Sequence, residues 1–468
     1  MRFRLFFLRH FLSSLQLSIG VCFAALLLLM VAHQANAQAV PAGTAPMGGV
    51  NPEDQPLAGQ QLGTDLTLNQ GIQVINAENE SIDRFGLGFQ VSGGAQTNFF
   101  GTETNPVTAA YTNYSADIGL LLHSNRTRFF VLYHPQYNLY PQYTIVNNFS
   151  QQYFQRLDYT LSDRSAISWN TTAARLLSIN QYLPLSLGIG AIGVVVPTLQ
   201  TQLLENSFEL SDVATELIWK YMISTRAIAT ASLTSSWFLL VPADLAGSSG
   251  LFSERFMASG GDLKYEYLLT PQDTIGVEAT PVYLYGLNPT GHAETETVEG
   301  LYKRQLTSTW NAEIAAGPLF VQSSGPEFGS VKATSYAVNA SLTRQVERSQ
   351  LSLTYQRAFV VSFLEPAQVS NEVGFNTHIP LSSHWILTAS TTYVRESGSI
   401  QAGSGTIYGG TGQIAYQVAS RMQLFAQFSR LSQSYNLGLP QPYAFSQNQF
   451  GAGLRFNLGN PITRGGVQ

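Results

Sequence analysis

Charge is what this chain has least of. Only 11% of its 468 residues are Asp, Glu, Lys or Arg, against about 25% in ordinary soluble domains. Hydrophobic residues do not rise to compensate, standing at 44%. Ser, Thr, Asn, Gln, Tyr and Gly fill the gap instead. A surface that faces water needs those charges; a wall with lipid on one side and water on the other does not. The few charges sum to −5, and to −8 once Arg2, Arg4 and Arg9 leave with the leader described below. No basic patch stands out, which argues against a nucleic-acid partner.

Cysteine is nearly absent. The single residue, Cys22, lies in the leader, so the mature chain has no disulfide, no thiolate metal site and no thiol nucleophile. Signatures of chemistry are missing as well: there is no H-E-x-x-H, no G-x-S-x-G and no P-loop. The mature histidines are His123, His134, His292, His378 and His384. His378 and His384 flank one expected turn without further ligands nearby, which is too few for zinc. Gly188-Ile189-Gly190-Ala191-Ile192-Gly193 spells G-x-G-x-x-G, but Val194-Val195-Val196-Pro197 follows where a dinucleotide site needs a helix. The expectation is a protein that is not an enzyme and carries no cofactor.

After the leader the chain also lacks an unbroken hydrophobic run. Residues 176–204 carry no charge, yet Pro184, Gly188, Gly190, Gly193 and Pro197 interrupt them more often than a membrane helix tolerates. The leader itself, residues 1–37, has Arg2, Arg4 and Arg9 ahead of an apolar stretch from Leu15 to Ala32. Ala35-Asn36-Ala37 then offers a small-x-small cleavage site, with cleavage expected after Ala37. An uncleaved anchor is the competing reading. Residues 38–84, with Pro41, Pro46, Pro52 and Pro56, read as a flexible periplasmic lead-in or a small plug segment.

What the chain does have is aromatic side chains, 12% in all with 22 Tyr and 27 Phe. Tyr suits a membrane–water interface, although a Tyr-rich secreted sandwich or propeller would show the same composition. The pattern from Phe85 onward decides between them. Leu351, Leu353, Tyr355 and Phe359 alternate with Ser352, Thr354, Gln356 and Ala358; Phe450, Ala452, Leu454, Phe456 and Leu458 alternate with Gln449, Gly451, Gly453, Arg455 and Asn457. Period two means strands with one apolar and one polar face.

Short turns are expected near 124–126, 162–164, 223–225, 270–273, 306–308, 346–348, 380–383 and 418–420. The longer links fall at 100–114, 141–147, 178–206, 239–255, 287–293, 322–331, 363–367, 397–405 and 435–445. Eight short-turn hairpins with one strand before and one after give about eighteen strands, or sixteen if one hairpin is misplaced. The strict alternation of short and long connections is the asymmetry of periplasmic turns and extracellular loops in bacterial outer-membrane barrels. The predicted fold is therefore all-β: residues 85–468 form a single antiparallel transmembrane β-barrel, closed because lipid forbids an open edge.

Two runs share a form in which a Tyr-bearing strand enters Leu-Ser/Thr, a turn and a second strand. They are Tyr153-Phe154-Gln155-Arg156-Leu157-Asp158-Tyr159-Thr160-Leu161-Ser162-Asp163-Arg164 and Leu263-Lys264-Tyr265-Glu266-Tyr267-Leu268-Leu269-Thr270-Pro271. In this the chain resembles the porin-like outer-membrane proteins grouped as β-barrel porin type 2, over about 85–458. That resemblance implies a pore, with exopolysaccharide secretion among the roles linked to the group, and carries over no functional residues. The chain departs from the common C-terminal aromatic signal, since Asn460 to Gln468 extend past Phe456 and Leu458.

Arg156, Asp158, Lys264, Glu266 and Arg455 sit on the polar faces of their strands, because charge facing lipid is costly. They are the candidate lumen-lining residues, forming either a mixed-charge channel wall or salt bridges across a plugged interior. The apolar link 178–206, with Leu183, Gly188, Gly190, Gly193 and Pro197, is a candidate gating loop; part of it extending the flanking strands is the plainer alternative. The expected function is an outer-membrane porin-like channel for hydrophilic solutes or an exported polysaccharide. The alternative is a plugged or non-conducting barrel that moves hydrophobic compounds or binds at the surface. Expected partners are outer-membrane lipid, the barrel-assembly machinery, and small solutes or polysaccharide.

Overall fold

The computed structural model describes residues 84–458 apart from 99–106, 145–146, 180–206, 243–253, 289, 326–329, 347–348, 361–367, 398–403 and 437–442. Expectations for the leader, for 38–83, for most of the 178–206 link and for the tail beyond 458 lie outside these residues. So do Leu183, Gly188, Gly190, Gly193 and Pro197.

Eighteen strands follow one another: β1 (Arg84–Thr97), β2 (Ala109–His123), β3 (Thr127–Leu139), β4 (Asn148–Ser162), β5 (Ser165–Ile179) and β6 (Ser207–Ser224). Next come β7 (Ala227–Pro242), β8 (Glu254–Leu268), β9 (Asp273–Asn288), β10 (Thr290–Gln305), β11 (Trp310–Ser324) and β12 (Val331–Val346). The last third is β13 (Ser349–Val360), β14 (Gln368–Pro380), β15 (Trp385–Ser397), β16 (Ser404–Ala419), β17 (Met422–Asn436) and β18 (Tyr443–Leu458). Each strand pairs antiparallel with its neighbours in sequence, and β1 pairs with both β2 and β18. The sheet is thus closed, and no edge is left with unpaired backbone groups.

The two faces have opposite chemistry. Phe85, Phe89 and Val91 of β1, Leu217 and Trp219 of β6, Leu353 of β13, and Phe450 and Phe456 of β18 are exposed on the outer face. Between them Gln90, Ser92, Glu216, Ser352 and Arg455 turn inward and are buried. Apolar out and polar in is the reverse of a water-soluble sandwich and is the polarity of a transmembrane barrel. Exposed aromatics gather towards the short turns (Trp219, Tyr221, Tyr302 and Trp385) and again towards the long links (Tyr114, Tyr137, Tyr336 and Tyr408), as girdles at two interfaces do.

One connection differs from expectation. The 287–293 segment is not a long link: β9 and β10 pair all the way to Leu287 and Thr290, leaving two residues between them. Gly286 and Gly291 have turn-forming composition, but here they sit opposite one another in the ladder. Continuing the ladder satisfies backbone groups that a loop would leave to water. The alternation of short and long connections therefore breaks at this one hairpin. At the other end, three of the short turns are preceded by a bulge, between Thr160 and Ser162, Met222 and Ser224, and Gln417 and Ala419.

Candidate functional site

The inner wall carries the largest networks of ionisable side chains among the described residues. Lys264 on β8 pairs with Glu278 on β9 at 3.3 Å and lies 4.0 Å from Glu266. Lys303 on β10 reaches Glu266 at 2.8 Å and Glu313 on β11 at 3.5 Å. Thr280 donates to Asp262 at 3.2 Å, and Asn339 of β12 donates to both oxygens of Glu299, at 3.0 and 3.1 Å. Two strands further back, Asn170 donates to the buried Glu216 at 3.0 Å.

Two of these contacts, Lys303–Glu266 and Asn339–Glu299, skip a strand, and small residues on the skipped strand make that possible. Lys303 crosses β9 beside Gly276, which stands in register between Glu266 and Leu301. A Cβ at Gly276 would lie 3.2 Å from the Leu301 side chain, 3.4 Å from that of Glu266 and 2.5 Å from the Tyr265 carbonyl. Asn339 reaches Glu299 across β11, where Ala315 and Gly317 face inward. Tyr111 of β2 reaches over Gly94 of β1 and donates to the Phe450 carbonyl of β18 at 3.4 Å.

Of the expected inward residues, Arg156 and Asp158 pair directly at 2.9 Å, with Ser168 donating to the same carboxylate at 2.6 Å. Lys264 and Glu266 lie 4.0 Å apart, and each has a closer partner, Glu278 for Lys264 and Lys303 for Glu266. Arg455 is apart from both: it donates to Gln90 at 3.1 and 2.7 Å across the β1–β18 seam and is buried. His378 lies 3.4 Å from Thr388, while His384 contacts Ser383 at 2.8 Å and stacks on Tyr416.

Sequence reasoning missed Asp262, Glu278, Glu299, Lys303 and Glu313, and it missed the buried His134–Asp117 contact at 2.6 Å. Alternation could have found the β9 and β10 members once Lys264 had set the inward frame. It was masked on β10, where Glu294 and Glu296 stand exposed on the outer face.

The interior is segregated. Apart from Arg455 on β18 and Glu372 on β14, the charged groups lie on β2–β11, with carboxylates outnumbering ammonium and guanidinium groups. From β12 to β17 the inward positions carry little charge: hydroxyls and amides such as Ser352, Ser390, Thr411, Gln413 and Gln427 share the wall with the buried Val394, Ile407, Phe425 and Leu431, and Glu372 is the one carboxylate among their described side chains. Facing inward on β2–β4 is an apolar patch of Leu121, Phe130, Leu132 and Phe154, with the two rings 5.7 Å apart.

Removing both ammonium groups tests whether this arc faces a conducting path. K264A/K303A leaves Glu266, Glu278 and Glu313 without their lysines. A unit charge at 4 Å is worth about 1 kcal/mol in water, so cation over anion permeability is expected to rise about fivefold. Reversal potentials in a salt gradient read this directly.

No family model matches the chain, and no curated protein matches it. Among solved structures, it is similar to the FrpB iron transporter from Neisseria meningitidis (F3-3 variant) at 8% identity and TM-score 0.42, covering 83% of each chain. It is also similar to OccAB4 of Acinetobacter baumannii, at 12% identity and TM-score 0.43, over 82% of this chain and all of that one. OccK2 (OpdF) of Pseudomonas aeruginosa gives 10% identity and TM-score 0.42, over 80% and 98%. At these levels the likeness identifies neither a family nor a solute.

Proposed function

We propose that this chain is an outer-membrane porin-like channel, exported with cleavage after Ala37, that passes hydrophilic solutes. One observation carries the reading: a closed eighteen-stranded wall is apolar outside and lined inside by ion pairs, amides and hydroxyls. Barrels of 16–18 strands have the girth for an aqueous passage. The hydroxyls and amides set among apolar side chains on β12–β17 suit a polyhydroxyl solute or an exported polysaccharide, because both bind through neutral hydrogen bonds. The opposing carboxylates and lysines keep the path wet and ion-selective.

The Leu121–Phe130–Leu132–Phe154 patch favours a second reading, since it gives an apolar plug or solute a place to rest inside the wall. Planar-bilayer conductance of the refolded mature chain separates the two. Large, stable steps are expected. Silence from protein that migrates as a folded barrel sinks the open channel and leaves the plugged transporter.

A further inference from the structure

The short turns repeat a sequence that the barrel's own geometry uses only in part. Ser124-Asn125-Arg126, Ser162-Asp163-Arg164 and Ser224-Thr225-Arg226 close three hairpins, and Ser420-Arg421 closes a fourth. The serine works locally: Ser162 and Ser224 accept the backbone N–H of Arg164 and Arg226 at 3.3 and 3.2 Å. The arginine backbone works too. The carbonyls of Arg126, Arg164, Arg226 and Arg421 accept the N–H groups of Thr160, Met222, Leu268 and Asn457 at 2.8, 2.7, 2.7 and 2.9 Å, tying each turn to the next strand.

The four guanidiniums do nothing of the kind. They are exposed, and none makes an ion pair or hydrogen bond with a described residue. Any residue supplies a carbonyl, so the fold does not ask for arginine at these places. Arg304, 3.7 Å from Asp273, and Arg344, over the Trp310 ring at 5.4 Å, extend the same rim on the outer face. Immediately above it stand the exposed Trp219, Tyr221, Tyr302 and Trp385. Aromatic side chains of this kind mark the depth of the lipid headgroups. The arginines beyond them are therefore at the level of the phosphates.

We propose that this rim binds the phosphodiesters of anionic phospholipids in the leaflet at the short-turn side, anchoring the barrel at a fixed depth. Guanidinium groups bind phosphate through paired N–H donors, and basic groups beside a membrane select anionic lipid. The inference rests on the membrane-barrel reading above. An acidic soluble partner would also be attracted to the rim, but the adjoining aromatic girdle favours lipid.

The test is the lipid preference of the full mature chain in mixed bilayers, read with spin-labelled phosphatidylglycerol against spin-labelled phosphatidylcholine. Folding is confirmed separately by heat-modifiable mobility in phosphatidylcholine alone; if the wild type fails there, it is the barrel reading that has failed. Folded wild type is expected to enrich phosphatidylglycerol about fivefold at the sites beside each arginine, and salt should weaken the effect. R126Q/R164Q/R226Q/R421Q keeps every backbone bond of the turns and is expected to lose the preference, while the corresponding lysine variant keeps part of it. No preference in the wild type, or an undiminished one in the glutamine variant, overturns the proposal. So does its abolition by inorganic phosphate at constant ionic strength, which would mark a site for the free anion. Should the glutamine variant misfold, the wild type decides alone: a preference that salt does not weaken also overturns the proposal.

Discussion

Gly94→Val is expected to abolish the folded barrel. Gly94 sits where the first and last strands meet, opposite Gly451 on β18 and Tyr111 on β2. A Cβ there would collide with the carbonyl oxygen of Phe450 and come within 2.8 Å of the Gly451 Cα. Both are backbone atoms of a paired strand, so neither can move without breaking the ladder. The Tyr111 ring reaches Phe450 across this same position and would be displaced as well. Overpacking costs about 1–3 kcal/mol where side chains can give way, and here the obstacle is backbone on the seam that closes the sheet. A barrel that cannot close exposes unpaired strand edges to lipid, which is not a tolerable end state. Gly412→Ala is the control, since a Cβ there meets nothing within 4 Å. Heat-modifiable electrophoretic mobility after refolding should show no folded species for G94V and a normal yield for G412A. Normal folding of G94V would mean that the β1–β18 seam is not formed as described.

Leu233→Arg is expected to destabilise the protein in a bilayer by about 2–4 kcal/mol, the range for arginine facing lipid at midplane. Leu233 is 68% exposed on the outer face of β7. Its neighbour Thr234 is 8% exposed, turned inward and in register with Glu216. An arginine at 234 meets a carboxylate, and Thr234→Arg should therefore cost far less. Equilibrium denaturant unfolding from lipid vesicles measures both. The contrast is diagnostic: in a water-soluble β-sandwich the most exposed position would accept arginine freely, whereas the buried neighbour would not. Equal tolerance at the two sites would remove the membrane reading itself.

Most of the wall was legible because a strand leaves a simple trace. One face touches lipid and the other does not, so Leu351, Leu353 and Tyr355 had to alternate with Ser352, Thr354 and Gln356. Turns such as Ser162-Asp163-Arg164 punctuate that trace. The strand number followed from counting them, and eighteen strands are present. The misplaced feature was the link at 287–293. Gly286, Gly291 and the residues between them carry turn-forming composition, and composition alone does not show whether a ladder runs through them.

The candidate site was less legible. Arg156, Asp158, Lys264, Glu266 and Arg455 were singled out because each is a charge set in an otherwise alternating strand. Apart from Arg156 and Asp158, which pair with each other, their nearest partners were not. Lys303 meets Glu266 from two strands away, and Arg455 meets Gln90 across the whole length of the barrel sequence. The sequence by itself determined which side of each strand faces lipid, because burial of a single face is a local, period-two property. Only the tertiary structure decided which inward charges pair, because pairing depends on cross-strand register and on small residues such as Gly276 and Gly317 that let side chains bridge over an intervening strand. The same closure set a charge-rich arc against a charge-poor one, a relation between strands far apart in the chain that no local pattern records.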